Sequence, residues 1–323
     1  HVLKASGVRQ QLDADFALDQ KLDFITKGLS LRGMYANLFN YGSTMTYSHM
    51  PALWRYHVDR DDYSLISAET MPSYSASTLG SANRTHLEAA IDYNRVFNDK
   101  HRVGLMAIYI QTQDKNGYAL PTNYRGVSGR ATYGYDDRYL FEFNAGYNGS
   151  DKFSKGQRYA FLPSMSLGWI VSNEKFMKPV TWIDMLKIRG SYGSVGNDKI
   201  GNFKYLYLYE FVDSSGWDYS FDLYTYRFGK EPQTTGRGLR EGTIGNDKVT
   251  WEIANKYNVG FDLTAFYNKL NVTVDLFKEH RRNILLVRQD VPTQTGLTSD
   301  ILPAENAGEV SNRGFEVSAS YND

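Results

Sequence analysis

The feature that most constrains this chain is a two-residue period. In Leu270-Asn271-Val272-Thr273-Val274-Asp275-Leu276 one parity is wholly aliphatic and the other wholly polar. Successive side chains of a strand point to opposite faces, so the segment has one apolar and one polar face. Just upstream, Tyr257, Val259, Phe261, Leu263 and Ala265 alternate with Asn258, Gly260, Asp262 and Thr264. Near the end, Phe315, Val317, Ala319 and Tyr321 alternate with Glu316, Ser318 and Ser320. A helix would instead need apolar residues at i, i+3, i+4 and i+7. Only Glu174 to Asp184 reads as a short helix, broken by Pro179.

The period predicts eleven strands, near 8–19, 28–37, 85–97, 101–113, 126–135, 138–148, 158–172, 186–195, 250–266, 269–280 and 312–322. Most have about ten residues or more, the length a tilted strand needs to cross a bilayer, whereas strands of soluble sheets average nearer five or six. The connections alternate between short (20–27, 98–100, 136–137, 173–185, 267–268) and long (38–84, 114–125, 149–157, 196–249, 281–311). Short turns at one end and long loops at the other are the arrangement of an outer-membrane barrel. The fold class expected is therefore all-β, an antiparallel transmembrane β-barrel of the outer-membrane type.

Composition agrees. Tyr and Phe number 25 and 17, and the mean hydropathy is -0.49, which suits a barrel with a wet interior and polar loops. Lys+Arg and Asp+Glu are both 36, so no charge bias points to nucleic acid. There is no cysteine, which removes disulfides and thiolate chemistry. No apolar run is long enough for a transmembrane helix, and His1-Val2-Leu3-Lys4 does not open a signal peptide.

Several stretches resemble the SusC/RagA-like TonB-dependent transporters. They are RQQLDADFALDQKLDFITKGLSLRGMYAN near the start, Tyr135 to Met177, Trp182 to Asp198, Val249 to Leu263 and Glu305 to Tyr321. They follow family order across nearly the whole chain and thin out in 38–84 and 203–247. The resemblance implies a barrel of 22 strands around an N-terminal plug. Residues 1–323 would be about half of that barrel domain, with signal peptide, TonB box, plug and final strands lying elsewhere. It further implies TonB-driven import of a nutrient, an oligosaccharide first or a peptide, across the bacterial outer membrane. The implied partners are a SusD-like surface lipoprotein, the TonB complex through the N-terminal part, the substrate and outer-membrane lipid, with no nucleic acid. The rival reading is a non-transporting surface barrel, an adhesin or glycan-binding module.

No catalytic set, metal site or cofactor is expected, and the chain does not read as an enzyme. The histidines show no HExxH or other ligand spacing. No GxSxG elbow occurs, and the Gly-rich run Gly190 to Asp198 lacks a P-loop lysine and reads as a flexible exit from strand to loop. His49, His57, Asp59, Asp61 and Asp62 share one loop without an EF-hand pattern and read as a solvated acidic segment.

Candidate binding residues are the loop aromatics Trp217, Tyr219, Tyr224 and Tyr226, with Trp54 and Tyr56 in the 38–84 loop. Aromatic rings beside Asp and Arg suit sugar faces, partner contacts or packing within the loop. Residues expected to face the lumen are Asn271, Thr273, Asp275, Glu142 and Asn144. Trp169, Trp182 and Trp251 lie near turns or loop bases, where amphipathic rings sit at headgroup level.

Overall fold

The period of two resolves into strands paired edge to edge. In the computed structural model the described residues are 2–117, 119–199, 205–206, 209–211, 225–228, 234–237, 239–241, 244–287 and 302–322. The strands in chain order are β1 (Val2–Lys21), β2 (Leu29–His49), β3 (Leu53–His57), β4 (Asp62–Ser67), β5 (Ser73–Phe97), β6 (His101–Asn116), β7 (Thr122–Tyr135), β8 (Tyr139–Ser150) and β9 (Tyr159–Ile170). They continue as β10 (Ile183–Asn197), β11 (Tyr209–Phe211), β12 (Thr225–Phe228), β13 (Thr234–Arg237), β14 (Leu239–Glu241), β15 (Glu252–Ala265), β16 (Leu270–Val287) and β17 (Ala304–Tyr321). Eleven form one sheet in the order β1-β2-β5-β6-β7-β8-β9-β10-β15-β16-β17, and β3-β4, β11-β14 and β12-β13 are separate two-stranded pairs. Every resolved ladder is antiparallel and joins sequence neighbours apart from these excursions.

The eleven sheet strands are those the period predicts, but they run further into the loops. β2 continues to His49 and β5 begins at Ser73, so the 38–84 connection shrinks to 50–72 and carries the β3–β4 hairpin. The 114–125 loop shrinks to 117–121, and β16 and β17 extend into 281–311. Polar residues pair their backbones as readily as apolar ones, so a ladder continues after the amphipathic signal has faded. The Gly190 to Asp198 run is likewise no flexible exit: β10 stays in register with β15 up to Asn197↔Glu252.

The short turns rest on left-handed backbone. Asn98 and Asp99 (φ 50 and 53) connect β5 to β6, and Asp136 and Asp137 (both φ 50) connect β7 to β8. Paired positive φ is the primed turn that matches strand twist, and Asn and Asp tolerate it. No helix forms over Glu174–Asp184. A single 3-10 turn, Val171–Asn173, ends at Glu174 with ψ 150, and β10 starts at Ile183. Glu174 is held by side chains instead. Its carboxylate accepts from Tyr139 Oη (2.7 Å), Trp169 Nε1 (3.2 Å) and Arg138 Nη1 (3.3 Å).

The chain divides into two compact units. One comprises His1–Asp19, Arg32–Ala89 and Ile110–Asn123. In it Arg84 pairs with Asp114, His49 Nε2 lies 2.9 Å from Glu69, and Tyr47 packs on Tyr74 with centroids 5.1 Å apart. The other comprises Gln20–Leu31, Ala90–Tyr109 and Tyr124–Asp323 and holds a cluster of buried apolar residues. Phe153, Val249, Trp251 and Ala160 are buried there, with the Phe153 and Trp251 rings 5.3 Å apart. Trp251 Nε1 donates to the Arg158 carbonyl (2.9 Å), and Asn306 Nδ2 donates to Thr250 O and Asn283 O (3.0 and 2.6 Å). The headgroup role read for Trp251 is thereby corrected: at 3% exposure it is a core residue knotting loop bases together. Trp169 and Trp182 remain half-exposed near turns, Trp182 stacked on Phe266 at 5.6 Å.

Hydrogen bonding from Tyr139 first, then Trp169 and Arg138, lowers the Glu174 pKa below its ordinary value. A carboxyl whose folded pKa is depressed adds stability above its unfolded value, near about 4.3, and loses it as pH falls through the folded value. Glu174→Gln should therefore lower the melting temperature of the full-length protein in detergent at pH 7. The gap to wild type should close as the pH falls through the depressed folded value; a gap that is constant with pH would show that the carboxylate charge does not matter.

Candidate functional site

The two faces of the larger unit's sheet are chemically different. On one face cross-strand rows run Tyr133–Phe141–Leu167–Gly190–Val259–Leu276–Phe315 and Tyr139–Trp169–Ile188–Phe261–Val274–Val317. This apolar face carries aromatic pairs toward both ends. Tyr135–Tyr139 stack (6.4 Å) near the short turns, and Tyr147–Tyr159 and Tyr192–Tyr257 (both 5.0 Å) lie near the long loops.

The opposite face is polar, and several of its charges are paired. Its central row is Leu140–Gly168–Arg189–Gly260–Asp275–Glu316. Arg189 on β10 reaches across β15 to Asp275 on β16 (2.7 Å), while also bonding Asp262 and Asn258 (both 3.2 Å). Neighbouring strands are about 4.8 Å apart, so the guanidinium spans two of them. Gly260 makes this possible. A Cβ there would lie 2.6 Å from Asp275 Oδ1 and 3.2 Å from Arg189 Cζ. On the neighbouring strands Arg130 pairs with Glu142 (3.0 Å), and Asn144 Nδ2 donates to the same carboxylate (2.9 Å). Toward the long loops Arg281 lies between Glu252 (2.8 Å) and Glu279 (3.0 Å), and Lys256 joins Glu279 (3.4 Å). Charges held in such pairs give a wettable wall.

In the smaller unit, the β3–β4 hairpin is amphipathic. Trp54↔Leu65 and Tyr56↔Tyr63 are register pairs, so these four side chains share a face. All are exposed, Trp54 at 59% and Tyr63 at 62%. The Tyr56 and Tyr63 rings are 5.0 Å apart, and Tyr56 Oη donates to Asp61 (2.7 Å). Arg55↔Ser64 and His57↔Asp62 lie on the other side, with His57 Nε2 2.7 Å from Ser64 Oγ. Among the described residues no group of three or more His, Asp or Glu is placed to hold a metal ion.

The residues singled out in the sequence fall into three groups. Asp275, Asn271, Thr273, Glu142 and Asn144 all lie on the polar face, and Asn271 Oδ1 accepts from Thr264 Oγ1 (3.1 Å). Trp54 and Tyr56 come together on one hairpin face. Trp217, Tyr219 and Tyr224 lie outside the described residues; Tyr226 is on β12 opposite Gly236, its side chain likewise undescribed. Arg189, Arg130 and Arg281 escaped notice, although they organise the polar face. Their signal was parity: each is an Arg on the polar side of its strand, and the partners sit at matching polar positions of neighbours.

A family model described as TonB dependent receptor-like, beta-barrel matches residues 4–322. The chain belongs to this family. Among similar proteins is TonB-dependent receptor P39 of Formosa agariphila, 31% identical over 261 residues, covering 72% of this chain and 23% of that one. Another is the TonB-dependent receptor SusC of Bacteroides thetaiotaomicron, 29% identical over 207 residues, covering 64% and 19%. The chain thus spans about a fifth of the length of these curated relatives. The fold matches a chain of the RagAB peptide importer in its closed-closed state with TM-score 0.72 and 19% identity, over 98% of this chain and 34% of that one. The resemblance to SusC/RagA proteins and the outer-membrane location are thereby established. In a TonB-dependent receptor barrel the apolar face with its terminal aromatics meets lipid.

Gly260→Ala should clash with Asp275, Arg189 and the Val274 carbonyl and cost the barrel about 1–3 kcal/mol, the usual penalty for overpacking. Unfolding of the full-length protein in bilayers reads this directly. Gly33→Ala, where a Cβ meets nothing within 4 Å, is the control and should cost much less.

Proposed function

We propose that this chain forms part of the barrel wall of a TonB-dependent importer. Its polar face, with Asp275, Asn271, Thr273, Glu142 and Asn144, lines the lumen, and its long-loop end opens at the cell surface. The cargo is an organic nutrient, an oligosaccharide in the first place or a peptide. A SusD-like lipoprotein covers the long-loop end, and TonB acts through an N-terminal plug region outside this chain. The observation that carries the reading is the two-faced wall itself: one face suited to lipid, the other studded with charges locked in pairs around Arg189. Locked charges let a hydrophilic solute pass without being trapped by a bare ion. Family membership supports a transporter rather than an enzyme, and the peptide importer RagAB supports an organic cargo. The exposed Trp54, Tyr56, Tyr63 and Leu65 face favours a sugar, because apolar ring faces stack on aromatics while hydroxyls reach groups such as Asp61.

Two experiments test this. Val274→Arg should destabilise the full-length barrel in bilayers by roughly 2–4 kcal/mol, and Asp275→Asn by clearly less, if Val274 meets lipid and Asp275 the lumen. The reverse order would refute the assignment of faces. Separately, Trp54→Ala with Tyr56→Ala should slow growth on single glycans or peptides as sole carbon source, or reduce co-purification of the lipoprotein. Heat-modifiable migration, the folding control, should not change. Normal growth and normal recovery would leave the hairpin face without a role in capture.

A further inference from the structure

On the polar face of β15 and β16 the cations Lys256 and Arg281 are held by carboxylates, but on the opposite face of β16 and β17 two cations are not. Lys278 and Arg313 stand directly opposite each other in the β16–β17 ladder. Their row continues Tyr192↔Tyr257↔Lys278, and the two Tyr rings pack together on the apolar face. Both cations therefore stand on the lipid side, one same-face step beyond the Leu276–Phe315 pair. Like charges directly opposite in an antiparallel pair repel. Among the described residues neither cation takes part in an ion pair, nor does Arg282, the same-parity residue further along β16. Between them His280 Nδ1 lies 3.1 Å from Ser311 Oγ, and the nearby carboxylate Glu309 is 3.9 Å from His280. At the same level of the polar face, Lys256 and Arg281 are each held by carboxylates at 2.8–3.4 Å. The same strands thus neutralise their cations on one side and leave them open on the other.

Their height along the strands identifies the counter-charge. They sit at the level of the Tyr192–Tyr257 pair, where aromatic rings of a barrel meet lipid headgroups. This is the long-loop end, which in outer-membrane barrels faces the cell surface. We propose that Lys278 and Arg313, with Arg282 and His280 beyond them, bind the phosphate of a phosphorylated glycolipid in the cell-surface leaflet. Its acyl chain lies along the strip Leu276, Phe315, Val274 and Val317. The Arg fork matches two phosphate oxygens, the Lys ammonium adds a third donor, and both aliphatic stems lie against apolar surface. The bound phosphate removes the repulsion between the two cations. The inference depends on membrane placement alone, not on transport, so its test reads lipid retention rather than uptake.

The test uses the full-length transporter in nanodiscs of zwitterionic lipid doped with lipid A, with bound lipid A counted by native mass spectrometry. Lys278→Gln and Arg313→Gln should each weaken retention about five-fold, as expected for one basic residue at an anionic surface. Lys256→Gln, on the polar face, should leave it unchanged. Dephosphorylated lipid A should not be retained, and millimolar inorganic phosphate should not displace lipid A. Arg313→Glu should abolish retention yet raise the melting temperature in phosphate-free detergent, because it gives Lys278 an opposite charge. That rise keeps loss of lipid distinct from loss of fold. Wild-type retention in the Lys278→Gln/Arg313→Gln variant would overturn the proposal, as would displacement by inorganic phosphate, which would make this a plain anion site.

Discussion

A backbone amide or carbonyl in hydrocarbon has no water to bond, and each one left unpaired costs several kcal/mol. That constraint accounts for most of this structure. It demands long strands, antiparallel ladders without gaps, and neighbours that are consecutive in sequence. The sheet meets it from β7 to β10 and from β15 to β17 with nearly unbroken registers. Irregularity is pushed toward the strand ends, as at Ile183/Met185 and between Arg281 and Leu285.

With the ladder supplying the backbone's needs, side chains are free to divide by environment. The same strands place Phe261, Val274 and Val317 on one face and Arg189, Asp262 and Asp275 on the other. The polar network is built across strands rather than along them, so it also ties β10, β15 and β16 together. Glycine contributes by omission, since Arg189 crosses β15 only over Gly260. The polar face is wall and reinforcement at once. Two cations of β16 and β17, Lys278 and Arg313, stand opposite each other on the apolar face, where a partner can come from the membrane.

At the long-loop end the logic changes from ladder to packing. Phe153, Val249 and Trp251 make a small soluble-type core that joins the 151–158 loop to the segment entering β15. Asn306 closes it from β17 by bonding two carbonyls. These contacts fix the bases of the long connections that flank β15. Rigid bases under variable loops are the usual way a fold carries binding.

How much of this the sequence determined by itself follows from the range of the interactions involved. Alternation is local, so the eleven sheet strands, the two faces and the place of Asp275, Asn271, Thr273, Glu142 and Asn144 on the polar one could all be read from neighbours two residues apart. The short turns were legible for the same reason, in Asn98-Asp99 and Asp136-Asp137. What required tertiary structure were contacts between distant residues. Trp251 reads as an interface residue until Phe153, almost a hundred positions earlier, is brought against it. The Glu174 segment looks helical until Tyr139, Trp169 and Arg138 claim its carboxylate. Arg189 and Asp275, 86 residues apart, become partners only through a register that no local pattern encodes. Pairing register and side-chain reach are properties of the assembled sheet, and they decided which polar residues form its site.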